Sequence, residues 1–323
     1  MLRVAQFGAG RIGKVHAVNI AGNQRSQLVA VSDPHGPSAQ ALADQYGARV
    51  MDEADVFADP DIDAVVVASS TNVHADQMTA AASGGKAIFC EKPIDLDINR
   101  VREVLAHLDA NPVPVMLAFN RRFDPNFADM KAQIDAGAIG DVEMVTILSR
   151  DPGLPPLDYI KVSGGLYRDM MIHDFDMARF LVGEEFDQLW AFGSVLVDPQ
   201  VGKAGDVDTA VVTMRTSTGK LVNISNSRRA SYGYDQRIEV HGSKGMLQAN
   251  NILESSVVLS NDQGVSAAKP MHFFLERYMP AYAREWDGFV RLVLDGETAN
   301  MPTAKDGLAA LELAERAVAA ARG

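Results

Sequence analysis

The stretch that decides the fold is residues 2–17, LRVAQFGAGRIGKVHA. Leu2–Phe7 is a short, nearly continuous apolar run, the pattern of a strand covered on both faces. It leads straight into G-A-G-R-I-G, with glycines at Gly8, Gly10 and Gly13, and then into a helical pattern. Each glycine has its own reason in such a strand–turn–helix. Gly8 makes the tight turn, Gly10 lets the backbone approach a pyrophosphate, and Gly13 lets helix and strand pack closely. Arg11 and Ile12 open the helix, whose first N–H groups and positive dipole end favour phosphate. A second apolar run, QLVAVSD, ends on Asp33, twenty residues after Gly13. A carboxylate there can accept hydrogen bonds from adenosine ribose hydroxyls and would repel a 2′-phosphate, so the expected cofactor is NAD rather than NADP. The plainer alternatives are a glycine-rich turn without a ligand and a turn or N-cap role for Asp33 in SDPHG. Strand, glycines, helix and acid in one register favour the dinucleotide.

Outward from this motif the alternation repeats. The apolar runs AVVVAS, KAIFCE and VPVMLAF are separated by amphipathic stretches such as HADQMTAAASG and NRVREVLAHLDA. This predicts βαβ units and a doubly wound parallel (Rossmann) sheet over residues 1–119. After Phe119 the character changes. A short helical stretch, DPNFADMKAQIDAG, precedes the strand pattern VEMVTILSR and a Gly/Pro-rich loop from Asp151 to Gly165. One helix is predicted over RDMMIHDFDMARFLVG, followed by consecutive strand patterns from Glu185 to about Leu259. Strands without helices between them imply a large, mainly antiparallel sheet, so residues 120–323 read as an α+β domain for substrate binding and oligomerisation. Two C-terminal helices are expected near Ala281–Leu294 and Thr303–Ala321, with the C-terminal one able to pack back on the first domain.

Composition narrows the function. The 323 residues suffice for two domains of ordinary size, with 47% apolar and 22% charged residues as in an ordinary globular protein. A net charge of −12, spread along the chain, argues against a nucleic-acid partner, which would need a basic face. The single cysteine, Cys90, excludes an internal disulfide and any cysteine-rich metal cluster. No segment has the ~18–20 apolar residues needed to span a bilayer, and the first residues read as a strand rather than a secretory leader. A cytoplasmic enzyme without a membrane partner is expected.

Three residues carry a chemistry. Asp169 and His173 are four apart, so on a continuous helix they share a face. A histidine can take a hydroxyl proton near neutrality, and a nearby carboxylate can orient the ring. Lys92 ends a parallel strand, at the edge where doubly wound sheets bind ligands, and its ammonium can stabilise a developing alkoxide. Pro93 fixes the chain direction after it and leaves a cis Lys92–Pro93 bond open. The bland counterparts are a solvated lysine, a core histidine and a first-turn acid. A metal held by Asp169, His173 and Asp176 is the other option, and no further ligand cluster supports it; no metal is expected.

GAGRIGKVHA, the strand end and helix start SSTNVHADQ, the EKP at Glu91–Lys92–Pro93 and DMMIHDFDMARF together resemble the Gfo/Idh/MocA oxidoreductases, over nearly the whole chain. The wording of the second half (SRDP, SGGLYRDMMIHDFDMARFLVGEE, RYMPAYAREW) is similar to the members that oxidise inositol. The resemblance implies direct hydride transfer from a ring hydroxyl to NAD, with His173 as base, Lys92 on the reacting oxygen and Asp169 positioning the histidine. It implies cofactor contacts from Ser69, Thr71, Asn72, His74, Glu91 and Lys92, with His74 also read as a structural helix-start residue. It implies a substrate shell of Lys92, Asn120, Arg121, Asp151, Asp169, His173, Tyr234 and Tyr282. Asp151 stands where such enzymes often carry Asn, and Ser149 where they often carry His, which leaves the exact polyol open. The leading substrate is myo-inositol, giving scyllo-inosose. Scyllo-inositol or an aldose such as glucose, a non-catalytic NAD- and sugar-sensing regulator, and an NAD-dependent glycosidase are the alternatives. A homotetramer is the family's habit.

Overall fold

A computed structural model describes residues 1–322. The chain divides into two compact units, one of Met1–Phe123 with Ala281–Leu311, the other of Asp124–Pro280 with the residues from Glu312 onward.

The first unit holds six parallel strands, β1 (Leu2–Phe7), β2 (Ser26–Ser32), β3 (Arg49–Val50), β4 (Ala64–Val67), β5 (Ala87–Cys90) and β6 (Val115–Leu117), in the order β3-β2-β1-β4-β5-β6. The order reverses between β1 and β4, which is where an open α/β sheet leaves a crevice at its carboxyl edge. Central strands are apolar throughout because both faces are covered. Trp286, Phe289 and Val290, from the helix Met279–Asp295, close the core against Leu28, Phe89 and their neighbours, and Trp286 Nε1 donates to Ser26 Oγ at 2.9 Å. The expected doubly wound domain is present. Only β3 escaped the sequence pattern, since two exposed residues give no periodicity.

The second unit is built on a six-stranded sheet of β7 (Val142–Arg150), β8 (Phe186–Ser194), β9 (Thr209–Thr216), β10 (Leu221–Ser227), β11 (Asp235–Gly242) and β12 (Gly245–Ala249), ordered β12-β11-β7-β10-β9-β8. All its pairings are antiparallel except β7 with β10, so the mainly antiparallel sheet is as expected. A small hairpin, β13 (Val258–Asn261) with β14 (Gly264–Ala267), is an addition. Arg277 donates through both Nη atoms to Asp124, and both side chains are buried.

Two local departures bear on the site. The Gly/Pro-rich loop after β7 contains a short helix, Leu157–Val162, that proline masked in the sequence. The single helix predicted over residues 168–183 is two, Gly165–Asp169 and Ile172–Val182. The N–H groups of Met170 and Met171 both donate to Leu166 O (3.0 and 2.9 Å), which resets the hydrogen-bond ladder between Asp169 and His173. The second helix ends at Gly183 in the left-handed region, φ 72°. Among the described residues no helix is long and apolar enough to cross a membrane.

Candidate active site

The glycine turn fits a dinucleotide on its own geometry. Gly8 has φ +95°, and a Cβ there would lie 2.3 Å from Ala68 O. A Cβ on Gly13 would lie 2.2 Å from Gly8 O, so helix and turn touch through bare backbone. A Cβ on Gly10 meets nothing within 4 Å: the space over that glycine is open to a ligand. Gly10 is also the N-cap of the helix Arg11–Gly22 and supplies no capping side chain, so the N–H groups beginning at Arg11 and Ile12 face outward for an anion. Gln6, a buried polar residue in the apolar β1, donates its side-chain amide to both Gly8 O (2.8 Å) and Gly13 O (2.9 Å) and locks the turn.

Asp33 lies one residue past the end of β2 rather than ending it, and it has structural work as well. Its Oδ2 accepts from Ala9 N–H and its Oδ1 from His35 N–H, each at 2.7 Å. The carboxylate therefore ties the end of β2 to the glycine turn, and its remaining lone pairs can still accept ribose hydroxyls. It is a turn residue but not an N-cap, since His35 caps the next helix.

Further along the carboxyl edge, Ser69 and Glu91 follow β4 and β5, and Thr71 and Asn72 open the helix Thr71–Ser83. His74, buried on that helix, has Nδ1 2.9 Å from Pro93 O and Nε2 3.1 Å from Ser69 O. One imidazole thus lies against the loops after both β4 and β5. The Lys92–Pro93 bond is cis. Glu91 Oε1 lies 2.8 Å from Nε2 of the buried His16, whose ring stands edge-on to Phe89 and to Tyr282. Asn120 and Arg121 sit buried in the short turn of helix that follows β6. The cofactor candidates, Lys92, Asn120, Arg121 and Tyr282 thus all belong to the first unit.

The remaining candidates belong to the second unit. Asp169 ends its short helix, with Oδ1 accepting from Tyr159 Oη at 2.9 Å and Oδ2 from Arg228 Nη2 at 3.3 Å. Arg228 Nη1 lies 3.8 Å from Asp151 Oδ2, so Asp151 and Asp169 share one guanidinium. His173 is in the first turn of the helix Ile172–Val182. Its neighbour Asp174 is fully buried and accepts from Ser149 Oγ (2.6 Å) and Asn226 Nδ2 (2.8 Å), which pins the start of the helix to β7 and β10. Ser149 is thereby part of the scaffold. Tyr234 packs its ring at a right angle to Tyr278, 5.9 Å between centroids.

Sequence reasoning missed Gln6, His16, Tyr159, Asp174 and Arg228. A polar residue inside an apolar strand was a legible signal for Gln6. Arg228, the end of NISNSR, looks in sequence like any charged residue after a strand, and only its burial reveals it.

Two family models match: residues 2–119 fit the oxidoreductase family with an NAD-binding Rossmann fold, and residues 127–248 fit the GFO/IDH/MocA C-terminal domain. The chain is 51% identical to the inositol 2-dehydrogenase of Rhizobium meliloti, over 98% of this chain and 96% of that protein. It superposes on the crystal structure of a putative myo-inositol dehydrogenase from Sinorhizobium meliloti with a TM-score of 0.96 at 50% identity, covering 100% and 98% of the two chains. It also matches a scyllo-inositol dehydrogenase from Lactobacillus casei solved with NAD(H) and scyllo-inositol, at 31% identity and a TM-score of 0.90, covering 99% and 96%. With a glycine turn shaped for a dinucleotide, an EKP strand end and an aspartate–histidine pair in the second unit, the chain belongs to the Gfo/Idh/MocA family of NAD-binding oxidoreductases.

Proposed function

We propose that this chain is an NAD-dependent inositol dehydrogenase whose substrate is myo-inositol, oxidised at a ring hydroxyl to scyllo-inosose. The observation that carries the reading is that Lys92, Asp169 and His173 are all present in a chain so close, end to end, to an inositol 2-dehydrogenase.

Bound NAD supplies the hydride acceptor, and the chain supplies orientation and proton handling. His173 Nε2 or Nδ1 takes the hydroxyl proton as the carbon is oxidised. Lys92 donates a hydrogen bond to the same oxygen and holds its charge down. Asp169 keeps the imidazole oriented and favours its protonated form. Asn120, Arg121, Asp151, Tyr234 and Tyr282 offer donors and acceptors to the other hydroxyls. The same groups serve ketone reduction in reverse.

Scyllo-inositol is the second reading, because a neighbour was solved with that substrate. One experiment separates them: initial rates of NADH formation with myo-inositol, scyllo-inositol and glucose. Myo-inositol should show the highest kcat/KM. Net NADH accumulation also excludes a glycosidase, which restores its cofactor each cycle.

The protein works as a cytoplasmic homotetramer in this reading. In support, one face of the second sheet carries exposed apolar side chains: Leu221, Met144 and Met246 lie along one register row, which also holds Arg215 and His241, and Phe192, 75% exposed, pairs with Val211 along another. Such a face suits a second copy of the chain. Phe192→Asp should lower the mass seen by light scattering.

A further inference from the structure

The single parallel pairing in the second sheet has a chemical result. Because β7 and β10 run side by side with Arg150 opposite Ser227, the residues that follow, Asp151 and Arg228, leave the sheet together at one edge. Antiparallel pairing would send them to opposite edges. Arg228 is 2% exposed, and the two ends of its guanidinium face different carboxylates, Asp151 at 3.8 Å and Asp169 at 3.3 Å. A third, Asp206, lies in the loop before β9. It feels the Arg228 charge, and it accepts the N–H of Leu166 (3.0 Å) in the short helix that ends at Asp169. Tyr159 Oη adds a donor on the other oxygen of Asp169.

One cation therefore lies against two carboxylates and its charge reaches a third, the three coming from three segments of chain. Burial pushes the Asp206 carboxyl up, against its backbone donors and Arg228, and the charge of Asp169 adds to the rise. The guanidinium itself lies against Asp151 and Asp169. A planar, rigid fork gripping two carboxylates also sets their separation, which a point-charge lysine could not do.

We propose that Arg228 is the positioning residue of the substrate half of the site, fixing Asp151 and Asp169 as a pair of acceptors at a set spacing that suits neighbouring hydroxyls of a polyol. The inference rests on the reading of Asp169 as the carboxylate that orients His173.

The test is a set of variants, Arg228→Lys, Arg228→Met and Asp151→Asn, alone and with Asp151→Asn combined with each Arg228 change. Rates are measured with myo-inositol, and NADH affinity by fluorescence titration. Arg228→Met should lower kcat/KM by about 10²-fold, the usual cost of a small misplacement of reacting groups, with NADH affinity unchanged. Arg228→Lys should recover only part of it. Asp151→Asn should cost clearly less in either Arg228 background than in the wild type. Wild-type kcat/KM in Arg228→Lys, or costs that multiply independently, would overturn the proposal. Should Arg228→Met not fold, Arg228→Lys with Asp151→Asn completes the same cycle. If the wild type makes no NADH from any polyol, the dehydrogenase reading fails, and the cycle is then scored on thermal unfolding. Non-additive losses of stability there would uphold Arg228 as the shared clamp, and additive losses would overturn it.

Discussion

Replacing Glu285 by Gln should change how the first unit's stability depends on pH. Glu285 lies on the helix Met279–Asp295, fully buried, and neither of its carboxyl oxygens has a hydrogen-bond partner among the described residues. Burial pushes its carboxyl well above the ordinary value of 4.5, and the charge of Glu91, itself engaged with His16, pushes the same way. In the unfolded chain Glu285 ionises near that ordinary value; in the folded chain it keeps its proton. Above pH 4.5 the native state therefore holds one proton more than the unfolded state, and stability falls as pH rises, until the folded carboxyl ionises in turn. With a single proton at stake, each pH unit in that window costs about 1.4 kcal/mol. Glutamine keeps the shape and has no proton to lose. Urea unfolding can be followed through the fluorescence of buried Trp286, with Trp190 of the second unit replaced by Phe. The wild-type and Glu285→Gln curves should meet near pH 4 and separate above it, the variant being the more stable at neutral pH. Parallel curves between pH 4 and 8 would refute the reasoning, because Glu285 would then ionise alike in both states.

Asp33→Asn should weaken NAD about 10- to 100-fold, the worth of a hydrogen bond to a charged group, and narrow the preference over NADP; a wild type that already prefers NADP would remove Asp33 from cofactor choice. His173→Ala should lower the chemical step by roughly 10²–10⁴-fold without changing NADH affinity, and Lys92→Met should cost at least as much. Near-normal turnover in His173→Ala would make that histidine structural. Arg277→Met strands the buried Asp124, which also caps the helix Pro125–Asp135, and should destabilise the second unit by about 3–5 kcal/mol in chemical denaturation.

The first unit was legible because its signals are local. Strand periodicity, glycine chemistry and the acid after β2 all lie within one strand–helix–strand stretch, and β1, β2 and β4–β6 appear where the apolar runs placed them. The second sheet's strands were legible for the same reason, and its order was not: nothing in VEMVTILSR or KLVNISNSR says that these two strands run parallel. The helix break between Asp169 and His173 was hidden because the pattern RDMMIHDF stays amphipathic while its hydrogen bonds shift to Leu166. The clamp on Asp169 was hidden more deeply. Tyr159, Arg228 and Asp206 come from three loops or loop edges, and their convergence is a property of tertiary packing that no spacing encodes. Asp33 was read for its place after β2, yet the two backbone N–H groups it holds depend on how the turn closes.

The parallel β7–β10 pairing also has a consequence for the order in which the second unit forms. Asn226 and Ser149, which meet across it, are 77 residues apart in sequence, so this contact must wait for a long loop to close, whereas the β9–β10 hairpin forms from neighbouring segments. By this loop-closure argument everything attached to the ends of β7 and β10, Arg228 with Asp151 and Asp169 included, should assemble after that hairpin and past the rate-limiting barrier. Interactions made past the barrier hold the native state closed without hastening its arrival. The clamp on the candidate substrate carboxylates should thus act as a brake on unfolding: weakening it is expected to shorten the lifetime of the folded site while leaving the speed of folding as it was.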